Sequence, residues 1–385
     1  MTTSSFEVEI EIDLTLVINE LFQMAFQNKY TSLRLNGILH HKQDLLALTS
    51  KKRENISLWQ QSLYQFIQEW LDDRDVVSVQ TSGSTGTPKK IQLLKTAMVN
   101  SAKMTGRYFH FQQGQTALLC LPCSYIAGKM MVVRAFVWGL DLKLVEPVGN
   151  PMETIKQSVD FAAMVPLQVA KMLEKTPEKA ALLTQLIIGG GKVSERLNEQ
   201  LQTLSVQCYA TYGMTETITH IAIQKLNGPD KTLTFHALPE VSLSLDDRDC
   251  LVIDAPAVAK EQVVTNDIVR LVTPTQFEWL GRFDNVINTG GVKVFPEQIE
   301  KKLDQIVKTR FFINYLADEI LGQRVILIIE DKPWSLTQQA GFKTKMYKVL
   351  SKYEQPKQLF FVEEFIETPT KKVQRIKTKA LLNLS

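Results

Sequence analysis

Four cysteines in 385 residues leave little from which to build a disulfide framework. Cys120 and Cys123 form a C-x-x-C, but Cys208 and Cys250 stand far apart and supply no second close pair for a zinc site. Reduced thiols with no metal or redox role are expected. Long apolar runs are also missing. None reaches the ~18 residues that mark a membrane helix, and "MMVVRAFVWGL" is interrupted by Arg134. The first twenty residues are acidic and lack a basic stretch followed by an apolar core, so no secretory signal is read and a cytoplasmic protein without membrane insertion is expected. There is no internal repeat, no Gly/Ser linker and no block of like charges of the kind that binds nucleic acid.

What remains is an ordinary globular composition, 44% apolar and 22% charged, in a chain long enough for two domains. The net charge of +3 is uneven. Residues 282–385 carry 18 Lys plus Arg against 12 Asp plus Glu, which suits a phosphorylated small molecule as well as it suits a polyanion. Residues 57–72 place Leu58, Leu63, Phe66, Ile67 and Trp70 mostly on one helical face. "DVVSVQ" and "IQLL" read as strands on either side of a loop, and "KTAMVNSAKMTGRYFHF" reads as a helix. "TALLCLP", "LKLVEP", "FAAMVP", "LTQLIIGGG" and "SVQCYATYG" read as buried strands with helical patterns between several of them. This alternation predicts an α/β body with largely parallel sheet. From about Gly281 the pattern changes to a hairpin around Gly290 and Gly291, an amphipathic helix and the strand "RVILIIE", which predicts a small α+β domain.

The loop at residues 81–90, "TSGSTGTPKK", is almost all small hydroxyls, glycine and lysine. Consecutive backbone amides with Ser and Thr hydroxyls make a donor-rich concavity suited to phosphate oxygens. The Walker A spacing is absent, and the loop joins two predicted strands, so by itself it also fits a flexible hairpin turn.

Six segments in order identify the chain with a family. "TSGSTGTPKK", "IIGGG", "YGMTE", "TNDIVRL", "GRFDNVINTGGVKVFPEQIE" and "TPTKKVQR" resemble the successive motifs of the adenylate-forming superfamily, which includes acyl-CoA synthetases, luciferases and peptide-synthetase adenylation domains. The resemblance implies a large α/β domain, residues 1–281, and a small mobile α+β domain, residues 282–385, with ATP, Mg²⁺ and CoA as the small molecules used. It implies that Thr81, Ser82, Gly83, Ser84, Thr85, Gly86 and Lys89 hold the leaving phosphates. Gly189, Gly190 and Gly191 would form the adenine-side turn, and Tyr212, Gly213 and Met214 the adenine platform. Thr215 would bond the α-phosphate, Glu216 would hold Mg²⁺, and Asp267 and Arg282 would meet the ribose. Lys372 would be the catalytic lysine that enters during adenylation. Asp284 would be the hinge, and Gly290 and Gly291 would line a thiol channel.

Two departures stand out: Asn266 replaces the usual glycine before Asp267, and Lys371 stands where a glycine normally precedes the lysine, so a register slip would make Lys371 the candidate. The short approach to the phosphate loop, with "LPCSYIAGKMMVVRA" and "YGMTETITHIA", resembles the compact o-succinylbenzoate CoA ligases of menaquinone biosynthesis. That substrate is a diacid, and burying its second carboxylate without a partner would be costly. Tyr125, Lys129, Arg134, Thr219 and His220 are the candidates, with Lys129 expected to pair with the aryl carboxylate. Arg134 also fits a surface ion pair and His220 a satisfied core residue. Other acyl- or aryl-CoA ligases, a carrier-protein acceptor and a noncatalytic nucleotide binder remain as alternatives.

Overall fold

The computed structural model describes residues 29–50, 56–80, 90–368 and 372–382. The chain begins with a hairpin, β1 (Leu33–Leu35) and β2 (Ile38–His40), followed by α1 (Lys42–Ser50) and α2 (Leu58–Leu71). Leu63, Phe66, Ile67 and Trp70 of α2 face the core as their spacing predicts, whereas Leu58 is 82% exposed at the first turn. β3 (Val76–Gln80) and β4 (Lys90–Leu94) pair antiparallel, Val76 opposite Leu94 through Gln80 opposite Lys90, and lead into α3 (Lys95–Tyr108). The phosphate-loop residues Thr81, Ser82, Gly83, Ser84, Thr85, Gly86 and Lys89 lie outside the described residues, as does Lys371.

Strands and helices then alternate: β5 (Thr116–Leu119), α4 (Ile126–Trp138), β6 (Asp141–Leu144), β7 (Val159–Met164), α5 (Pro166–Lys175), β8 (Leu183–Ile188), α6 (Glu195–Leu201) and β9 (Gln207–Gly213). Apolar residues stand on both faces of these strands because both faces of the sheet are covered. Successive side chains point to opposite faces, so Ala117, Leu119, Phe161, Ala163 and Ile187 join one core beneath α2, α3 and α4. Leu118, Ala162, Met164, Leu186 and Ile188 join the other, with α5 and α6. Strands β1, β6, β5, β7, β8 and β9 are mutually parallel in that spatial order. The sheet continues antiparallel through β10 (His220–Lys225), β11 (Phe235–Ala237), β12 (Ser242–Leu245), β13 (Cys250–Asp254), β14 (Val263–Thr273) and β15 (Gln276–Arg282), making 13 strands in all.

After a short turn, Phe283–Asn285, a separate five-stranded sheet begins. It contains β16 (Ile287–Thr289), β17 (Val292–Val294), β18 (Phe311–Asp318), β19 (Gly322–Glu330) and β20 (Gln358–Val362), with α7 (Pro296–Leu303), α8 (Leu336–Val349) and α9 (Arg375–Ala380). Ile287, Ile299, Leu327 and Met346 anchor its own core. The architecture is thus a large mixed α/β body carrying a small α+β unit. The four cysteines are buried free thiols, and burial pushes Cys120, Cys123 and Cys208 up to about 12. Among the described residues no helix is long and apolar enough to cross a membrane.

Candidate active site

Parallel strands end on a common edge, and in α/β sheets the crevice beyond that edge is where ligands bind. β8 ends in Gly189, Gly190 and Gly191, and its neighbour β9 ends in Tyr212 and Gly213. Gly190 sits at φ +76°, and a Cβ on Gly189 would lie 2.6 Å from Thr211 Oγ1, so this turn closes tightly against β9.

At the end of β9 the chain makes a second sharp corner. Thr215–Thr217 form a single 3₁₀ turn, and Ile218 follows at φ +65°, ψ −66°. The Thr219 amide donates to the Thr217 carbonyl at 2.7 Å across it. This is the strained, positive-φ form of the γ-turn, an uncommon conformation for a β-branched residue. Thr217 is fully buried. Its hydroxyl accepts from the Met214 amide at 3.1 Å and is 2.8 Å from the Thr219 carbonyl, to which it can donate. Gly213 lies opposite His220, and a Cβ there would stand 2.1 Å from the Thr219 carbonyl oxygen. The corner leaves the Glu216 carboxylate without a hydrogen bond or ion pair to any described residue, while β10 carries its neighbours back into the body. A single hard oxygen donor of this kind suits Mg²⁺, which usually takes one or two carboxylates and completes its shell with phosphate oxygens and water.

Asp267 and Arg282 face each other across β14 and β15. Asp267 is only 7% exposed. The Tyr212 hydroxyl donates to its Oδ2 at 2.7 Å, the Trp279 indole donates to its Oδ1 at 3.1 Å, and Arg282 Nη1 stands 3.6 Å from Oδ1. Burial and the Asp267 charge push the Tyr212 phenol up, so it remains a donor. The expected adenine platform and ribose acid are therefore one connected unit, with Trp279 as a member that the motif pattern did not single out. Phe235 and Phe277 support the Tyr212 ring, with centroids 5.9 and 5.0 Å away.

Lys372 belongs to the small domain, in the hairpin where its amide donates to Thr368 Oγ1 at 3.1 Å. Although much of its surface is open, its ammonium is crowded enough that burial lowers its proton affinity, and the nearby Arg282 guanidinium lowers it further. Asp284 accepts from Arg282 Nη2 at 3.1 Å and from Asn266 Nδ2 at 3.3 Å, while Arg248 Nη1 donates to Asn266 Oδ1 at 2.9 Å. The asparagine in place of the usual glycine thus fastens the turn at Asp284 to the body. Gly290 and Gly291, at φ +58° and +79°, form a two-residue hairpin turn in which both positions need left-handed backbone.

The acid-binding candidates cluster on α4 and β10. Tyr125 caps the start of α4 through its backbone, but its side chain makes no capping bond. Lys129, expected to meet the substrate, is already neutralised: its ammonium lies 3.0 Å from Glu69 Oε2 and 4.5 Å from the Phe66 ring centroid. Glu69 also accepts the Ser78 amide at 2.8 Å, so this buried pair ties α2 to β3 and α4.

Arg134 is the opposite case. It is 2% exposed and forms no ion pair with any described carboxylate. Nη2 lies 3.5 Å from Thr219 Oγ1 and Nη1 lies 3.4 Å from Met131 Sδ, while Nε has no partner. Burial lowers it to about 10. Thr219 also meets Ser101 Oγ at 3.0 Å. His220 is buried 3.2 Å from Thr105 Oγ1, whose proton goes to the Ser101 carbonyl; His220 Nε2 is therefore the donor. Burial and then the Arg134 charge lower His220 to about 3, so it is neutral.

A family model described as "AMP-binding enzyme" matches residues 15–256. The 2-succinylbenzoate–CoA ligase of Salmonella typhimurium is 23% identical over 293 residues, covering 70% of this chain and 61% of that protein. A probable 2-succinylbenzoate–CoA ligase of Mycobacterium tuberculosis is 28% identical over 286 residues, covering 68% and 72%. The chain therefore spans less than two thirds of the first relative's length. Among solved structures, an acyl-CoA synthetase (AMP-forming)/AMP-acid ligase II-like protein from Dyadobacter fermentans is 34% identical, covers 87% of this chain and 98% of its own, and superposes with a TM-score of 0.58. The Bacillus subtilis o-succinylbenzoate coenzyme A synthetase, solved with ATP and magnesium, shares the fold with a TM-score of 0.72 at 16% identity, covering 93% and 99%.

Proposed function

Starting from a chain that belongs to the AMP-binding enzyme family, we propose that it activates the succinyl carboxylate of o-succinylbenzoate with ATP and transfers the acyl group to CoA. A carboxylate oxygen attacks the α-phosphorus and the bond to the bridging oxygen of pyrophosphate breaks. The CoA thiol then attacks the acyl carbon, expelling AMP and releasing a proton. The observation that carries the diacid reading is Arg134, a fully buried guanidinium with no carboxylate of the described residues paired with it. An uncompensated buried charge is expensive, and a ligand carboxylate is the group that would offset it. The relatives named as 2-succinylbenzoate–CoA ligases point to the same acid. With Lys129 held by Glu69, the role first expected of Lys129 passes to Arg134, with Thr219 and Ser101 as neighbouring hydroxyls.

In this reading Tyr212 and Asp267 hold the adenosine, and Arg282 stands between the ribose and the reacting phosphate. Lys372 supplies a preorganised cation where charge gathers between the carboxylate and the α-phosphate. Thr215 donates to the α-phosphate, and the loop from Thr81 to Lys89 holds the departing pyrophosphate. Mg²⁺, when bound by Glu216, neutralises phosphate charge. Residues 1–281 and 282–385 act as two domains. The small one turns about Asp284 between the half-reactions, so that Gly290 and Gly291 replace Lys372 at the site. The setting is the cytoplasm, in menaquinone biosynthesis.

The test is incubation with ATP, Mg²⁺, CoA and a panel of aromatic and aliphatic acids, with the thioester identified by mass. Pyrophosphate release strongest with o-succinylbenzoate is expected. Equal turnover of monoacids of the same shape would overturn the diacid assignment, and ATP binding without acid-dependent pyrophosphate release would leave a nucleotide-binding protein. A carrier-protein thiol outperforming CoA would replace the acceptor.

A further inference from the structure

The seam between the large body and the small domain is crossed by one helix, α7, and its neighbours. Gln298 Nε2 donates to the Leu280 carbonyl at 2.8 Å and lies 3.2 Å from that of Trp279. The Arg196 amide donates to Asp304 Oδ2 at 3.3 Å, and Lys301 meets Glu195 at 3.6 Å. Most of these groups are exposed surface partners of modest worth. Glu297 differs, being a carboxylate 4% exposed inside the seam.

Three functional segments converge on it. Its backbone carbonyl, which any residue there would supply, accepts the ammonium of Lys192 at 3.2 Å, and Lys192 directly follows the Gly189–Gly191 turn. Its Oε1 accepts Asn285 Nδ2 at 2.5 Å, from the turn that contains Asp284. Arg375 Nη2, three residues beyond Lys372, stands 3.9 Å from the same oxygen while Arg375 also binds Glu300 at 2.8 Å. The other oxygen, Oε2, has no hydrogen-bond partner among the described residues and fills the space a Cβ on Gly281 would need, 2.4 Å from where that Cβ would lie. A buried carboxylate left half-satisfied between two rigid units is costly, and such a cost persists where the arrangement it fixes is useful.

We infer that Glu297 is a positioning residue for adenylation: its carboxylate joins the hinge turn to the lysine-bearing segment, and so sets the small domain in the orientation that presents Lys372. It touches no reactant and acts through Asn285 and Arg375. The inference rests on the adenylation reading for its kinetic consequence and on the seam geometry for its structural one, and the two are tested separately.

Glu297→Ala is expected to lower acid-dependent ATP–pyrophosphate exchange about tenfold to a hundredfold. The KM for ATP should be unchanged, and thioester formation from supplied acyl-adenylate and CoA should be unchanged or faster. Glu297→Gln keeps the acceptor for Asn285 and should recover most of the exchange. Hydrogen exchange of the whole chain supplies the readout independent of turnover: Glu297→Ala should loosen residues 283–286 and 372–380 together, beyond α7 itself. Equal losses in both half-reactions, or loosening confined to α7, would overturn the assignment. A wild-type chain that activates no acid would sink the reaction while the exchange pattern still decided the role of Glu297.

Discussion

Lys129 and Arg134 are five residues apart on one helix, yet the protein treats their charges in opposite ways. Around Lys129 the body supplies its own counter-ion, a carboxylate from α2, and closes apolar surface over the pair. Around Arg134 it supplies hydroxyls, a thioether and a neutral imidazole. The first arrangement is complete by itself and serves as a joint between helices and β3. Among the described residues the second lacks a negative charge. Buried charges are therefore informative about ligands only after their protein partners have been counted, and residue type gives no guide to which cation is left over.

The sharpest way to break the comparison is to remove each cation in turn. Lys129→Met strands Glu69 in the interior and should cost roughly 3–5 kcal/mol of stability by denaturant unfolding, with Glu69→Leu in the same chain recovering much of it. A change in the KM for the acid, without that loss of stability, would return Lys129 to the substrate site.

Lys372→Ala should lower the adenylation rate by ~10² to 10³, measured as pyrophosphate release, while thioester formation from supplied adenylate stays near the wild-type rate. If both half-reactions fall together, the lysine is not the group placed beside Arg282 for the first step.

Arg134→Met should do the reverse of Lys129→Met: the unliganded chain is expected to become more stable by about 1–4 kcal/mol, since an unpaired buried cation is replaced by an apolar side chain of similar length. The same variant should lose its preference for a diacid over the matching monoacid. Destabilisation with the preference intact would show that Arg134 is paired after all.

The smallest effect expected is one of pH. His220 is held near 3 in the folded chain against 6.5 when unfolded, so it takes up a proton on unfolding. Its contribution is present above about pH 6.5 and declines as pH falls toward 3. The slope approaches ~1.4 kcal/mol per pH unit, or about 2 kcal/mol between pH 7 and 5. Denaturant curves at the two pH values measure it, and His220→Asn should flatten the difference.

Much of the fold was legible because local pattern and tertiary demand agree. The runs at Leu183–Ile188 and Gln207–Gly213 are mostly apolar, and the sheet they enter is covered on both faces. The hairpin at Gly290 and Gly291 needed two residues able to adopt positive φ, and the sequence names them. The site was legible as an order of motifs, not as contacts. Nothing near Lys129 in the sequence announces Glu69, sixty residues earlier. Leu58 fits the helical period yet lies outside because the first turn projects past the core. Glu297 reads as an ordinary first-turn acid of an amphipathic helix, and only the seam makes it a junction. Trp279 sits in a strand pattern that says nothing about a hydrogen bond to Asp267.

The contorted corner at Ile218 has one further implication. Since Gly213 has no room for a β-carbon beneath Thr219, neither half of that corner is free to drift alone. Any descendant that straightened the turn would have to redesign the floor under it in the same stroke, which makes the Gly213–His220 stretch a single heritable piece rather than eight separate choices.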